Sequence, residues 1–194
     1  MFNDPILSAP STTTYAVDIN DDGMIAGWYK ATDNTEHGFV VNSNDGTVTL
    51  IPNLTGSPTC RPVRLSQVNA TTGDVWVAGN CNGRPYIYNL ASASPIELTY
   101  AGGTSVSVSS INSQGVAVGS GIKQGNPTYD GSTALLWPAG STFATVPTDL
   151  NANNAFAPST GFGVRSTDVN ESDTILTQYI TVNSAKSFLL YPIP

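Results

Sequence analysis

An asparagine-led segment recurs along the chain, and this recurrence limits the possible folds more than any other feature. Tyr15 to Gly27 aligns with Val108 to Gly119, and both contain Ile-Asn-x-x-Gly-x-x-x-Gly. Weaker copies run from Ser66 to Gly79, with extra turn residues, and from Thr167 to Thr177, with both glycines gone. The anchors Asn20, Asn69, Asn112 and Asn170 lie 49, 43 and 58 residues apart, close to the roughly 40–50 residues of a propeller blade.

Each copy is followed by a second apolar run: His37 to Val41, Pro85 to Tyr88, Ala134 to Trp137 and Ser187 to Tyr191. After three of them comes a further short run, at Thr47 to Ile51, Pro95 to Leu98 and Thr142 to Val146. Helical spacing is almost absent, and short alternating runs separated by turn residues predict an all-β chain. Asn and Asp bond their own main chain and tolerate left-handed backbone, while Gly adopts it without a Cβ clash. Asn-x-x-Gly is therefore a hairpin signal.

One unit then reads as four strands, A to D. The expected architecture is a four-bladed β-propeller in a single domain over residues 1–194. Its blades fall near 11–53, 60–100, 103–148 and 161–194. The last unit ends after its C strand, and residues 3–10 are expected to supply the missing D strand and close the ring. Closure would remove open sheet edges; strand donation by residues 1–10 to a neighbouring molecule is the alternative.

The pattern resembles the HAF-type repeats of bacterial extracellular proteins, Ile-Asn-x-x-Gly-x-x-x-Gly followed by an Ala/Gly-Phe/Leu stretch. The best matches are Asp18 to Gly27 with His37 to Val40, and Ile111 to Gly119 with Ala134 to Trp137. Thr177 departs from it at the glycine position. The resemblance implies an exported repeat protein and supplies no catalytic residues.

Charged residues make up 11% of the chain and the formal net charge is −7. The seven Lys and Arg are scattered singly, which argues against nucleic acid as a partner. No apolar run approaches the roughly 20 residues of a membrane helix. With the turn of the second unit centred between Asn69 and Asp74, Cys60 and Cys81 fall opposite one another to within the shift of one bulge. A cross-strand disulfide there points to an oxidising compartment and an extracellular or cell-surface location.

Asp18-Ile19-Asn20-Asp21-Asp22-Gly23 matches the first half of an EF-hand loop, but its twelfth position is Tyr29, which has no carboxylate. A different cation site is a candidate. The residues two before each anchor are Asp18, Gln67, Ser110 and Asp168, and innermost strands line a propeller's axis, so Asp18 and Asp168 are candidate ligands for Ca²⁺ or Na⁺. Hydrogen bonding of these carboxylates into turns is the competing reading.

His37 is the only histidine and opens a core strand, so it reads as structural. No nucleophile motif accompanies it. The sequons at Asn53, Asn69 and Asn170 largely coincide with turns.

Long connections fall at Lys30 to Glu36, Asn53 to Arg61, Ile122 to Gly131 and Thr148 to Gly161, all B–C or D–A loops on one face of a propeller. They carry Arg61, Lys123, Tyr129 and Phe156 as candidate contacts to a protein or glycan. The expected function is a non-catalytic extracellular binding or assembly module acting through this loop face, without a cofactor. The alternatives are a structural subunit of a filament or viral particle, self-associating through residues 1–10, and a glycan-cleaving enzyme.

Overall fold

A computed structural model describes residues 13–123, 132–150, 163–180 and 185–191. The closing strand expected at residues 3–10 lies outside them. Among the described residues the protein is all-β, and its strands form four antiparallel sheets, each a simple meander. Sheet 1 contains β1 (Thr13–Ile19), β2 (Met24–Lys30), β3 (Glu36–Asn42) and β4 (Val48–Ile51). Sheet 2 contains β5 (Cys60–Leu65), β6 (Trp76–Cys81), β7 (Arg84–Asn89) and β8 (Ile96–Glu97). Sheet 3 contains β9 (Gly103–Ile111), β10 (Ala117–Lys123), β11 (Ser132–Trp137) and β12 (Thr148–Asp149). Sheet 4 has β13 (Gly163–Val169), β14 (Ile175–Ile180) and β15 (Ala185–Leu190).

The anchor asparagine works at both ends of its amide. Asn20 Oδ1 accepts from the Met24 N–H at 2.9 Å, closing its own turn, while Nδ2 donates to the Ser66 carbonyl of the next sheet at 3.0 Å. Asn112 repeats this with Val116 N–H at 3.0 Å and the Asn170 carbonyl at 3.1 Å. An aspartate would keep the turn and lose the donor that ties one sheet to the next. Gly23 (φ 76°) and Gly115 (φ 83°) occupy the left-handed position of these turns. In the fourth unit Asp173 occupies it at φ 57°, a conformation Asp tolerates better than most residues, so the turn survives without its glycine.

The second unit corrects the sequence alignment. Its equivalent of Asn20 is Ser66, whose N–H bonds the Trp76 carbonyl and whose Oγ accepts from Trp76 N–H at 2.9 Å. Asn69 instead starts an inserted turn closed by Asp74 and Gly73. The spacing from Asn20 to Ser66 is 46 residues, the same as from Ser66 to Asn112. A second correction concerns the third unit. Thr142 to Val146 is a turn closed by the Thr145 N–H on the Thr142 carbonyl, and the outer strand is β12, further along.

Burial follows the repeat. Apolar clusters fill each junction between successive sheets: Ala26, Val40 and Ile51 against Leu65, Val77 and Tyr88; Ala78, Ile87 and Leu98 against Ile111, Leu135 and Trp137; Val118 and Leu136 against Val169 and Ile175. Central strands bury both faces, which is why β2 and β6 read as nearly unbroken apolar runs.

Among the described residues the two ends of this succession are exposed. Leu65, Ile111 and Val169 occupy one register position and are 5%, 3% and 6% exposed, while the equivalent Ile19 is 62% exposed. At the opposite faces Val40 and Ile87 are 2% and 1% exposed, whereas their counterpart Leu189 is 54% exposed.

Candidate functional site

The first strand of every sheet carries a bulge, and the residue after it is the one that matters. Asp18, Arg64, Ser110 and Asp168 each follow that bulge and pair with Ala26, Ala78, Val118 and Leu176 respectively. A bulge re-aims the side chain that follows it, and these four side chains converge. Arg64 Nη2 donates to both oxygens of Asp168, at 2.9 and 2.8 Å, and its Nε lies 3.8 Å from Asp18 Oδ2. Ser110 donates to Asp168 Oδ1 at 2.6 Å. Backbone N–H groups complete the arrangement: Leu65 donates to Asp18 Oδ2 at 2.8 Å and Val169 to Asp168 Oδ1 at 3.0 Å.

The four sheets therefore share one polar layer, on a cavity of about 310 Å³ lined also by Ile19, Ile111, Gln67 and Glu171. Sequence spacing places Asp18, Ser110 and Asp168 at equivalent positions but misses Arg64, because it aligns Asn69 rather than Ser66 and so nominates Gln67. Gln67 instead accepts from the Asp21 N–H at 3.0 Å. Aligning Leu65-Ser66 with Ile19-Asn20 in place of Asn69 would have pointed to Arg64. The cation set against Asp18 and Asp168 is thus a guanidinium. Among the described residues no three His, Cys, Asp or Glu side chains are grouped to hold a metal ion.

A second layer lies three residues back along each strand, toward the B–C and D–A loops. Tyr15, Arg61, Ser107 and Arg165 pair with Trp28, Asn80, Ser120 and Gln178. Tyr15 stacks on Trp28 with ring centroids 4.1 Å apart and planes 17° from parallel. The Arg61 guanidinium lies 4.2 Å from the Trp28 ring centroid. Glu36, on β3, fixes this arginine through two bonds, 2.6 Å to Nε and 2.7 Å to Nη2. The Arg61 guanidinium holds the Glu36 carboxyl below its usual range, against the opposing effect of burial, and Glu36 raises Arg61 in turn. Arg165 is exposed, and its Nε donates to Ser132 Oγ at 3.1 Å.

Of the candidate loop-face residues, Arg61 is in this layer. Lys123 ends β10, opposite Gly103, with its side chain outside the described set; Tyr129 and Phe156 lie wholly outside it. Tyr15, Trp28 and Arg165 escape a reading of sequence, because a cross-strand stack depends on register. Cys60 and Cys81 are directly paired across β5 and β6 and joined by a disulfide. His37 meets Thr35 Oγ1 at 2.8 Å, and Thr35 donates to Asp33 at 2.6 Å. The Thr35 bonds lower the Asp33 carboxyl.

Compared with the known protein families and with curated protein sequences, the chain matches none. Function must be argued from these two layers.

Proposed function

We propose that the four sheets are the blades of a four-bladed β-propeller and that the protein is an exported, non-catalytic binding module acting through its B–C and D–A loop face. The observation that carries this reading is the axial layer. Four register-equivalent side chains from four sheets meet within hydrogen-bonding or ion-pair reach of one another, as blades around one axis would place them. The one guanidinium in that layer is held between both carboxylates, which suits a scaffold and leaves recognition to the layer above. The disulfide suits an oxidising compartment, and the asparagine-led units suit the extracellular repeat proteins they resemble. In this reading residues 3–10 add the fourth strand to sheet 4.

A second reading draws on sheet 4 itself. Among the described residues it has three strands where the others have four, and Leu189 and Tyr191 beside its outer edge are 54% and 69% exposed. Such an edge accepts a strand from another molecule as readily as from its own chain. Light scattering on the full chain and on residues 11–194 separates the two. A monomeric full chain is expected. Assembly that disappears on truncation would establish the filament subunit instead.

A further inference from the structure

The upper layer has a composition unlike the lower one: an exposed aromatic ring, two arginines and a serine at one level of the four innermost strands. We propose that Tyr15, Arg61 and Arg165 form a binding site for an acidic saccharide, a uronic-acid residue within a glycan, at the loop-face end of the axis. The inference rests on the binding-module reading and names the ligand class of that face.

Placement comes from the lower layer. Direct bonds among Arg64, Asp168 and Ser110, with Asp18 at 3.8 Å, show β1, β5, β9 and β13 converging there. Across the bulge these three residues oppose two of the paired strand, about 7 Å, so the upper four positions surround the same axis one layer nearer the loops.

Chemistry selects the ligand. Tyr15 is 46% exposed, and Trp28 lies parallel beneath its ring. Trp28 is gripped in turn by Arg61, so the aromatic face is fixed before anything binds. Rigid rings on strands suit the flat apolar face of a pyranose, with little ordering left for binding to impose. Arg61 directs its Nε and Nη2 at Glu36, which neutralises it. Arg165 has no carboxylate partner among the described residues. It is a planar fork suited to a carboxylate. A ring to stack and a guanidinium bonded only to a serine hydroxyl among the described residues, at one level, match a sugar that carries its own carboxylate.

Titration calorimetry of the full chain with trigalacturonate and with a neutral galactose trisaccharide tests the site. The acidic trimer should bind, and more weakly at high salt. Arg165→Gln and Tyr15→Ala should each weaken it about tenfold or more, while Tyr15→Phe keeps it and Phe143→Ala, remote on another loop, has no effect. Thermal melts identify any variant that fails to fold, and Tyr15→Phe with Arg165→Gln then decide the result. No binding of the acidic trimer at millimolar concentration, equal binding of the neutral one, or indifference to Arg165→Gln would overturn the assignment. A monomer that fails these tests loses only the saccharide class; a chain that polymerises through residues 1–10 loses the binding-module reading as well.

Discussion

Arg64 and Asp168 are separated by 104 positions in the chain, and their side chains meet at 2.8 Å in the polar layer that the four sheets share. Removing Arg64 leaves Asp18 and Asp168 facing each other without the guanidinium between them. Both partners of this pair are about 40% exposed, so water screens much of the effect. Arg64→Ala is expected to cost on the order of 1 kcal/mol. A double-mutant cycle with Asp168→Asn, read by urea unfolding, should give a positive coupling energy that shrinks in high salt. Strict additivity would mean the pair contributes nothing.

The second motif glycine marks close backbone approach. At Gly119 a Cβ would sit 2.0 Å from the Ser107 carbonyl oxygen, and at Gly27 it would sit 2.3 Å from that of Tyr15. Backbone cannot swing aside as a side-chain end can, so Gly119→Ala should cost about 3 kcal/mol or more, at the diagnostic end of single substitutions. The calorimetric midpoint reports it. A midpoint within a degree of wild type would show that β9 moves freely relative to β10.

Ile19 and Leu65 share a register position but not an environment. Leu65→Ala empties a filled junction and should cost about 2–4 kcal/mol, whereas Ile19→Ala, at a site 62% exposed, should cost less than about 1 kcal/mol. Parallel denaturant titrations compare the two. Equal costs would mean that sheets 4 and 1 pack in solution as tightly as the other junctions.

Acid should act partly through Glu36. Its folded-state pKa lies below the ordinary 4.5 because of the bond to Arg61, so the native state holds fewer protons than the unfolded chain. The contribution is complete above pH 4.5 and is lost as pH falls through the lower folded value. Glu36→Gln should reduce stability at neutral pH and flatten its decline below pH 4.5. Unfolding curves from pH 7 to 3 provide the check, and an unchanged acid slope in the variant would contradict the assignment.

The Cys60–Cys81 bond closes a sequence separation of 21 residues. Its loss is expected to cost about 3 kcal/mol, a fall of roughly 6–12 °C in midpoint for a chain of this size. Scanning calorimetry of Cys60→Ala/Cys81→Ala beside the wild type measures it. A midpoint insensitive to removal of the bridge would place the stability of sheet 2 wholly in its packing.

The turns at Asn20 and Asn112 were legible because their chemistry is local: an amide that closes its own loop and a glycine in a left-handed bend lie within four residues. Strands followed from alternation about those turns, and the cysteine pairing from counting outward from the turn between Asn69 and Asp74. The second unit misled because two turns of similar composition, at Ser66 and Asn69, compete within it; Asn69 even donates to the Ser113 carbonyl of sheet 3, and the register of β5 on β6 is what distinguishes the anchor from the insertion.

The sequence by itself thus determined an all-β chain built of four repeated units with one disulfide, since hairpin turns and period-two burial are short-range properties. Only the tertiary structure decided that Arg64 is the cation set against Asp18 and Asp168, that Trp28 underlies Tyr15, and that Ile19 lies open while Leu65 is covered. Each depends on where a bulge turns a side chain and on which sheet lies against it, relations between residues tens of positions apart that no local spacing encodes.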